Sequence, residues 1–205
     1  MLLKKVHTFS GVCISLFVGL HLFNHSYSIL GADKHIELMN TLRYFYRNIF
    51  AETILLLALL VQIISGWTLF KSNRKRAATF FNQLQMWTGL YLAFFIVVHI
   101  GAIFFGRLFL DLDTNLYFGA AGLNHFPVNL FFIPYYALAI ISFFGHIAAI
   151  HSKKMKQSIL GLSPIKQSVV IFVTGICFTI AILYGLTNRF TGFKIPAAYN
   201  ILTGQ

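Results

Sequence analysis

Histidines are the residues of this chain best suited to chemistry, and two of the eight, His21 and His99, share a setting. Each ends the same pattern: an aromatic residue, a small hydroxyl residue, a glycine, nine further residues, then the histidine. The first copy runs from Phe9-Ser10-Gly11 to His21, the second from Trp87-Thr88-Gly89 to His99. Both histidines fall inside long apolar stretches, where an ionisable side chain is costly and marks a functional site by default. At ~1.5 Å per helical residue, each lies about 20 Å from the start of its stretch. Two imidazoles at one depth on different helices can take a haem iron from opposite faces. Such ligation leaves no open position and suits electron transfer over gas chemistry. The plainer alternative is two core histidines, each bonded to a neighbouring helix.

Other candidates surround this pair. His146 lies in a later apolar stretch, closer to the opposite boundary, and is a candidate ligand for a second haem. The corresponding earlier stretch has Gln62 at the matching position and no histidine. An unusual partner is then needed, and His7 is one candidate: it precedes His21 by 14 residues, nearly four turns, and so shares roughly one helix face. The alternative roles for His7 and His146 are hydrogen bonds to polar groups or to haem propionates. Arg43 and Arg47 suit propionate pairing or interfacial anchoring. Glu52 is the only acid within a predicted span; an isolated carboxylate there could exchange protons with a quinone, or simply be solvated at a helix start. His25, His35 and His125 read as surface residues, although His25 and Asn24 sit one turn beyond His21. Cys13 and Cys177 read as buried, reduced packing residues.

These side chains need helices across a bilayer to hold them. The 205-residue chain is 58% hydrophobic and 10% charged, well short of the roughly 25% charged residues of a soluble domain. A bilayer core calls for about 20 apolar residues per helix. Five stretches meet that length: Thr8–Leu30, Asn48–Phe70, Met86–Arg107, Asn129–His151 and Gln167–Leu186. The first is too long and polar, and lacks a convincing cleavage site, to read as a signal peptide. The predicted fold class is an all-α membrane protein in one domain over residues 1–205. Four spans form a haem-binding core and the fifth is peripheral.

The net charge of +11 does not indicate nucleic acid. Lys4, Lys5, Lys71, Arg74, Lys75, Arg76, Lys153, Lys154, Lys156 and Lys166 all fall on one side of the five spans, with no acid among them. The remaining connections mix Lys34, Arg43, Arg47 and Arg107 with Asp33, Glu37, Asp111 and Asp113. That is the positive-inside pattern of a lipid-embedded chain, predicting a cytoplasmic N-terminus and an external C-terminus. Trp67 and Trp87 fit an aromatic belt near the inner boundary. The repeat extends to the second and fourth spans, where Val61-Gln62-Ile63 stands against Gly145-His146-Ile147. Two tandem hairpins and a fifth helix describe the chain. The connection over 108–128 is expected to hold at most a surface helix, and Gly161, Ser163 and Pro164 punctuate the loop before the fifth span.

The pattern resembles the five-helix, single-chain, diheme cytochrome b anchor of succinate dehydrogenases and fumarate reductases. The segments that carry the likeness are His7-Thr8-Phe9-Ser10-Gly11 leading to His21, Leu22 and Asn24, and Leu84-Gln85-Met86-Trp87-Thr88-Gly89 leading to His99. The resemblance implies that His21 and His99 hold the haem b distal to the soluble subunits, and that His146 is one ligand of the proximal haem. It places the other ligand at Gln62, where this chain departs from the family. It further implies a cytoplasmic flavoprotein and an iron–sulfur subunit docked on the basic face. Menaquinone or ubiquinone would exchange within a bacterial inner membrane. The chain has no nucleotide-binding or nucleophile motif, so it would be non-catalytic alone, a subunit of an oxidoreductase passing electrons between that iron–sulfur subunit and quinone. The competing readings are a cytochrome b serving another dehydrogenase and a haem-free transporter or scaffold.

Overall fold

The protein is described here from a computed structural model covering residues 2–76 and 79–204, without the side chain of Arg76. It is 82% helical, with no strand among the described residues. The helices are α1 (Leu2–Ser26), α2 (Ala32–Tyr46), α3 (Ile49–Asn73), α4 (Phe80–Leu108), α5 (Leu116–Asn124), α6 (Asn129–Lys154) and α7 (Pro164–Leu186). Five of them, α1, α3, α4, α6 and α7, are long and apolar enough to cross a membrane, which defines a multi-pass membrane protein. The side carrying Lys4 and Lys153 is called the basic side below, and the opposite one the far side.

All five expected spans are present, and three begin earlier than hydropathy suggests. α1 starts at Leu2, α4 at Phe80 and α7 at Pro164. Side-chain caps set two of these starts. Thr79 Oγ1 accepts from Asn82 N at 3.3 Å, and Ser163 Oγ accepts from Lys166 N at 3.5 Å. Pro164 then occupies the first turn, where a missing N–H loses no helical bond. Ser163-Pro164 is therefore a helix start and not loop punctuation.

Two short helices cap the far side. α2 occupies the connection after α1 and turns His35 and Met39 inward, 1% and 5% exposed, while Lys34 and Glu37 pair at 2.8 Å on its outer face. α5, expected at most as a surface helix, is buried: Leu116, Ala120 and Leu123 pack into the main apolar cluster with Leu22, Ile140, Ile182 and Leu186, and Ala121 is buried beside them in the sequence. Asn124 ties this cap to the C-terminal tail, donating to Leu186 O at 3.0 Å and accepting from Phe193 N at 3.0 Å.

The spans pack as two hairpins, α1 against α3 and α4 against α6, with α7 lying along α6. Ala139, Ser142, Gly145, Ala148 and Ala149 are all buried on α6, and Gly175 of α7 meets the Phe144 ring. Small residues of this kind let membrane helices approach closely. The fifth span is thus outside the four-helix core, as expected, although its far end contributes Ile182, Leu183 and Leu186 to the central cavity. Large apolar side chains such as Phe94, Val97, Phe105 and Ile180 face outward, where lipid solvates them. Cys177 joins them on the outside and Cys13 is half-buried, so neither is the buried packing residue expected. Trp67 and Trp87 flank Phe70 near the basic end, with Lys71 Nζ 5.1 Å from the Trp67 ring.

Candidate functional site

A cavity of about 1300 Å³ separates the two hairpins. Single small-molecule pockets run to about 300–1,000 Å³, so this one has room for more than one large group. Its rim holds Lys4, Lys153 and Lys154 on the basic side and Arg43, Arg47 and Arg107 on the far side. His7, His21, His99 and His146 all line it.

In the far half, His21 of α1 and His99 of α4 are brought together, their ring centroids 6.2 Å apart. Each imidazole stacks on the aromatic ring one turn earlier in its own helix. Phe17 lies 5.9 Å from His21 at 16°, and Phe95 lies 5.1 Å from His99 at 13°. Residues four apart share a helix face, so Phe-x-x-x-His builds the same module twice. That shorter repeat, nested within the longer glycine-to-histidine pattern, was a second available signal. Tyr136 of α6 meets His99 edge-on at 6.4 Å.

The two rings are the residues that would hold a haem iron, since they approach one another across the cavity from different helices. Neither ring nitrogen of His99 makes a hydrogen bond among the described residues. His21 Nε2 lies 3.1 Å from His25 Nε2. Ligation through that atom would replace its contact with His25, which would still be held by His35.

His25 and His35 are not surface residues. His25 Nδ1 lies 3.2 Å from His35 Nε2, which also takes the Asn24 amide at 3.3 Å. His35 Nδ1 and Asn24 Oδ1 are buried without partners among the described residues. His125 is half-buried after α5 and does not line the cavity.

Burial, reinforced by the nearby His21 and Arg43 charges, pulls the His35 pKa down to about 4. A histidine whose docked value lies below its free value of about 6.5 is most favourably docked above that pH. Stability is then lost as pH falls from 6.5 toward 4, because the undocked helix takes the proton first. Amide exchange across α2, corrected for its intrinsic pH dependence, is expected to quicken more than ten-fold between about pH 7 and pH 5. His35→Gln should flatten that response. A wild-type response equally flat would contradict this account of α2 docking.

In the basic half the hairpin repeat is exact in register. A Cβ on Gly11 would come within 3.2 Å of Gln62 Nε2, and one on Gly89 within 3.0 Å of His146 Cε1. His146 Nδ1 donates to the Gln85 carbonyl at 3.1 Å, with Thr88 Oγ1 at 3.3 Å. A ring N–H held this way leaves Nε2 as the free lone pair, the usual arrangement behind a metal-binding histidine. His7 Nδ1 is 2.8 Å from Ser65 Oγ, which itself donates to Val61 O at 2.6 Å. His7 Nε2 accepts from the Gln62 amide at 3.2 Å, and Gln62 Oε1 accepts from Ser10 Oγ at 2.6 Å.

Ionic contacts order the far rim. Arg43 bonds Asp113 at 2.8 Å, with Arg47 3.8 Å from the same oxygen. Glu52 is not the isolated carboxylate expected, since Arg107 donates to it at 2.6 Å. Arg107 was missed from sequence because its partner lies 55 residues away on another helix. No family model, curated protein or solved structure matches this chain.

Proposed function

We propose that this chain is a membrane cytochrome b, the anchor and haem b electron conduit of a succinate:quinone oxidoreductase of the succinate dehydrogenase or fumarate reductase type. The observation that carries the reading is the apposition of His21 and His99 across an apolar cavity, each braced by an aromatic ring. A haem held by two imidazoles supplies one-electron transfer with no position open to a gas. His21 and His99 bind, Phe17 and Phe95 fix the ring planes, and the surrounding apolar side chains keep water out. Arg43 and Arg47 offer charge-assisted hydrogen bonds to propionates at the far rim. Glu52 lines the same cavity and is the candidate to exchange protons with menaquinone or ubiquinone.

On this reading the basic side faces the cytoplasm of a bacterium and the C-terminus lies outside its inner membrane. Exposed Lys4, Lys5, Lys71, Lys153 and Lys154 make that side a complementary surface for acidic partners, here an iron–sulfur subunit and a flavoprotein. The chain isolated with a tag from its own membrane, in mild detergent, should bring down both subunits, and succinate should reduce its haem. Isolation with a different dehydrogenase, and reduction by that enzyme's substrate instead, would transfer the cytochrome to another complex and contradict the proposal.

A further inference from the structure

We propose that Tyr135 of α6 and Tyr91 of α4 are positioning residues for His99, fixing the plane of its imidazole through Phe95 without touching the cavity themselves. This inference rests on the cytochrome reading above and deepens it.

His99 has little of its own to hold it. Its ring makes no hydrogen bond among the described residues and rests on Phe95, 5.1 Å away and 13° from parallel. Whatever fixes the Phe95 ring therefore fixes the imidazole. Tyr135 does so at two points. Its ring packs on Phe95, centroids 4.8 Å apart, and its hydroxyl donates to the Phe95 carbonyl at 3.3 Å. That carbonyl is also the α-helical acceptor for the His99 amide, four residues on. Tyr91, one turn before Phe95, completes the clamp by donating its own hydroxyl to the Tyr135 carbonyl at 2.8 Å. Each helix thus gives one hydroxyl to the main chain of the other. Within lipid no water competes for such bonds, so the crossed pair sets the rotation of α4 against α6.

Tyr135 is 6% exposed, and neither it nor Tyr91 lines the cavity. That separates both from Tyr136, whose ring meets His99 edge-on from the cavity wall. α6 supports its two tyrosines from the preceding turn: Phe131 stacks on Tyr135 at 5.4 Å and 17°, and Phe132 on Tyr136 at 6.0 Å and 25°. The His21 module is braced differently. Phe17 meets Tyr46 of the cap helix α2 edge-on at 5.2 Å, and no hydroxyl bonds the Phe17 carbonyl among the described residues. The two imidazole planes stand 64° apart. With one module clamped between spans and the other resting on a cap helix, the Tyr91–Tyr135 pair holds the His99 side of that angle. Groups behind a metal ligand set its orientation. In a low-spin ferric haem the angle between the axial imidazole planes governs the anisotropy of the paramagnetic signal, and planes far from parallel raise its largest g value.

The test is low-temperature electron paramagnetic resonance of the oxidised full-length chain in detergent, on the signal that disappears in His99→Ala. Tyr91→Phe and Tyr135→Phe each delete one hydroxyl and keep the ring. In both, haem per chain is expected to stay at the wild-type level, while the largest g value of that signal falls and its line broadens as the imidazole is released toward parallel. Tyr199→Phe is the structural control. It deletes a hydroxyl bond to the Asp113 carbonyl, 2.9 Å long, from a residue that does not line the cavity, and should leave the signal unchanged. An unchanged signal in one variant removes that tyrosine from the role. Unchanged signals in both, the same shift in Tyr199→Phe, or loss of the haem from a folded variant overturn the proposal while the cytochrome reading stands. A wild-type chain with no low-spin haem removes that reading as well. Should Tyr135→Phe fail to fold, Tyr91→Phe decides alone by the same outcomes, since it breaks the clamp without altering Phe95 or its stacking partners.

Discussion

His99→Ala is expected to lower haem at the far-side site by more than ten-fold in a chain that otherwise folds normally. Removing a group that merely orients a metal ligand costs about 10–100-fold in metal affinity, and losing the ligand itself should exceed that. The fold should tolerate the change, because His99 makes no hydrogen bond among the described residues and faces open cavity. His21→Ala should abolish the same haem but perturb more, since His21 also holds His25. Haem measured against protein, with thermal unfolding as the control, separates these effects. An unchanged far-side haem in a folded His99→Ala chain would remove His99 from the site.

Gly185→Ala is expected to destabilise the bundle by about 3 kcal/mol, the upper part of the usual range for overpacking. α7 passes so close to the turn after α1 that an added Cβ would lie 2.7 Å from the Ile29 amide nitrogen and 2.9 Å from the Ser28 carbonyl carbon, besides meeting Ser28 Oγ. Those are mostly main-chain atoms, which cannot rotate aside. The displaced segment is the Tyr27–Leu30 turn that leads into α2, so His35 should lose its seat as well. Gly101→Ala is the matched control, because its Cβ would meet nothing within 4 Å. Melting in one detergent should separate the two variants by several degrees, and equal melting temperatures would contradict the close approach.

The spans were legible because a bilayer demands about 20 apolar residues in a row and forces the backbone into helix. His21 and His99 were legible because the repeat set them at one depth. His7 was harder to place. The apolar window opens at Thr8, and nothing in hydropathy says that the helix runs back to Leu2. Its role as a wall residue emerges only when α1 meets α3 and Gln62 is seen to bond it. α2 escaped for a different reason: its mixed charge gives no membrane signal, and its two buried residues, His35 and Met39, are too few to announce a buried face. The burial of His35 and its contact with His25 follow from α2 folding back over α1, a tertiary event. The Glu52–Arg107 pair likewise joins helices that only the folded bundle makes neighbours.

The cytochrome reading is tested most directly by the dithionite-reduced minus oxidised spectrum of the purified wild-type chain, with haem quantified per polypeptide. The account predicts a low-spin b-type spectrum with at least one haem per chain, lost at the far site in His21→Ala and His99→Ala. A purified, folded chain with no haem, and none taken up on reconstitution, would contradict it.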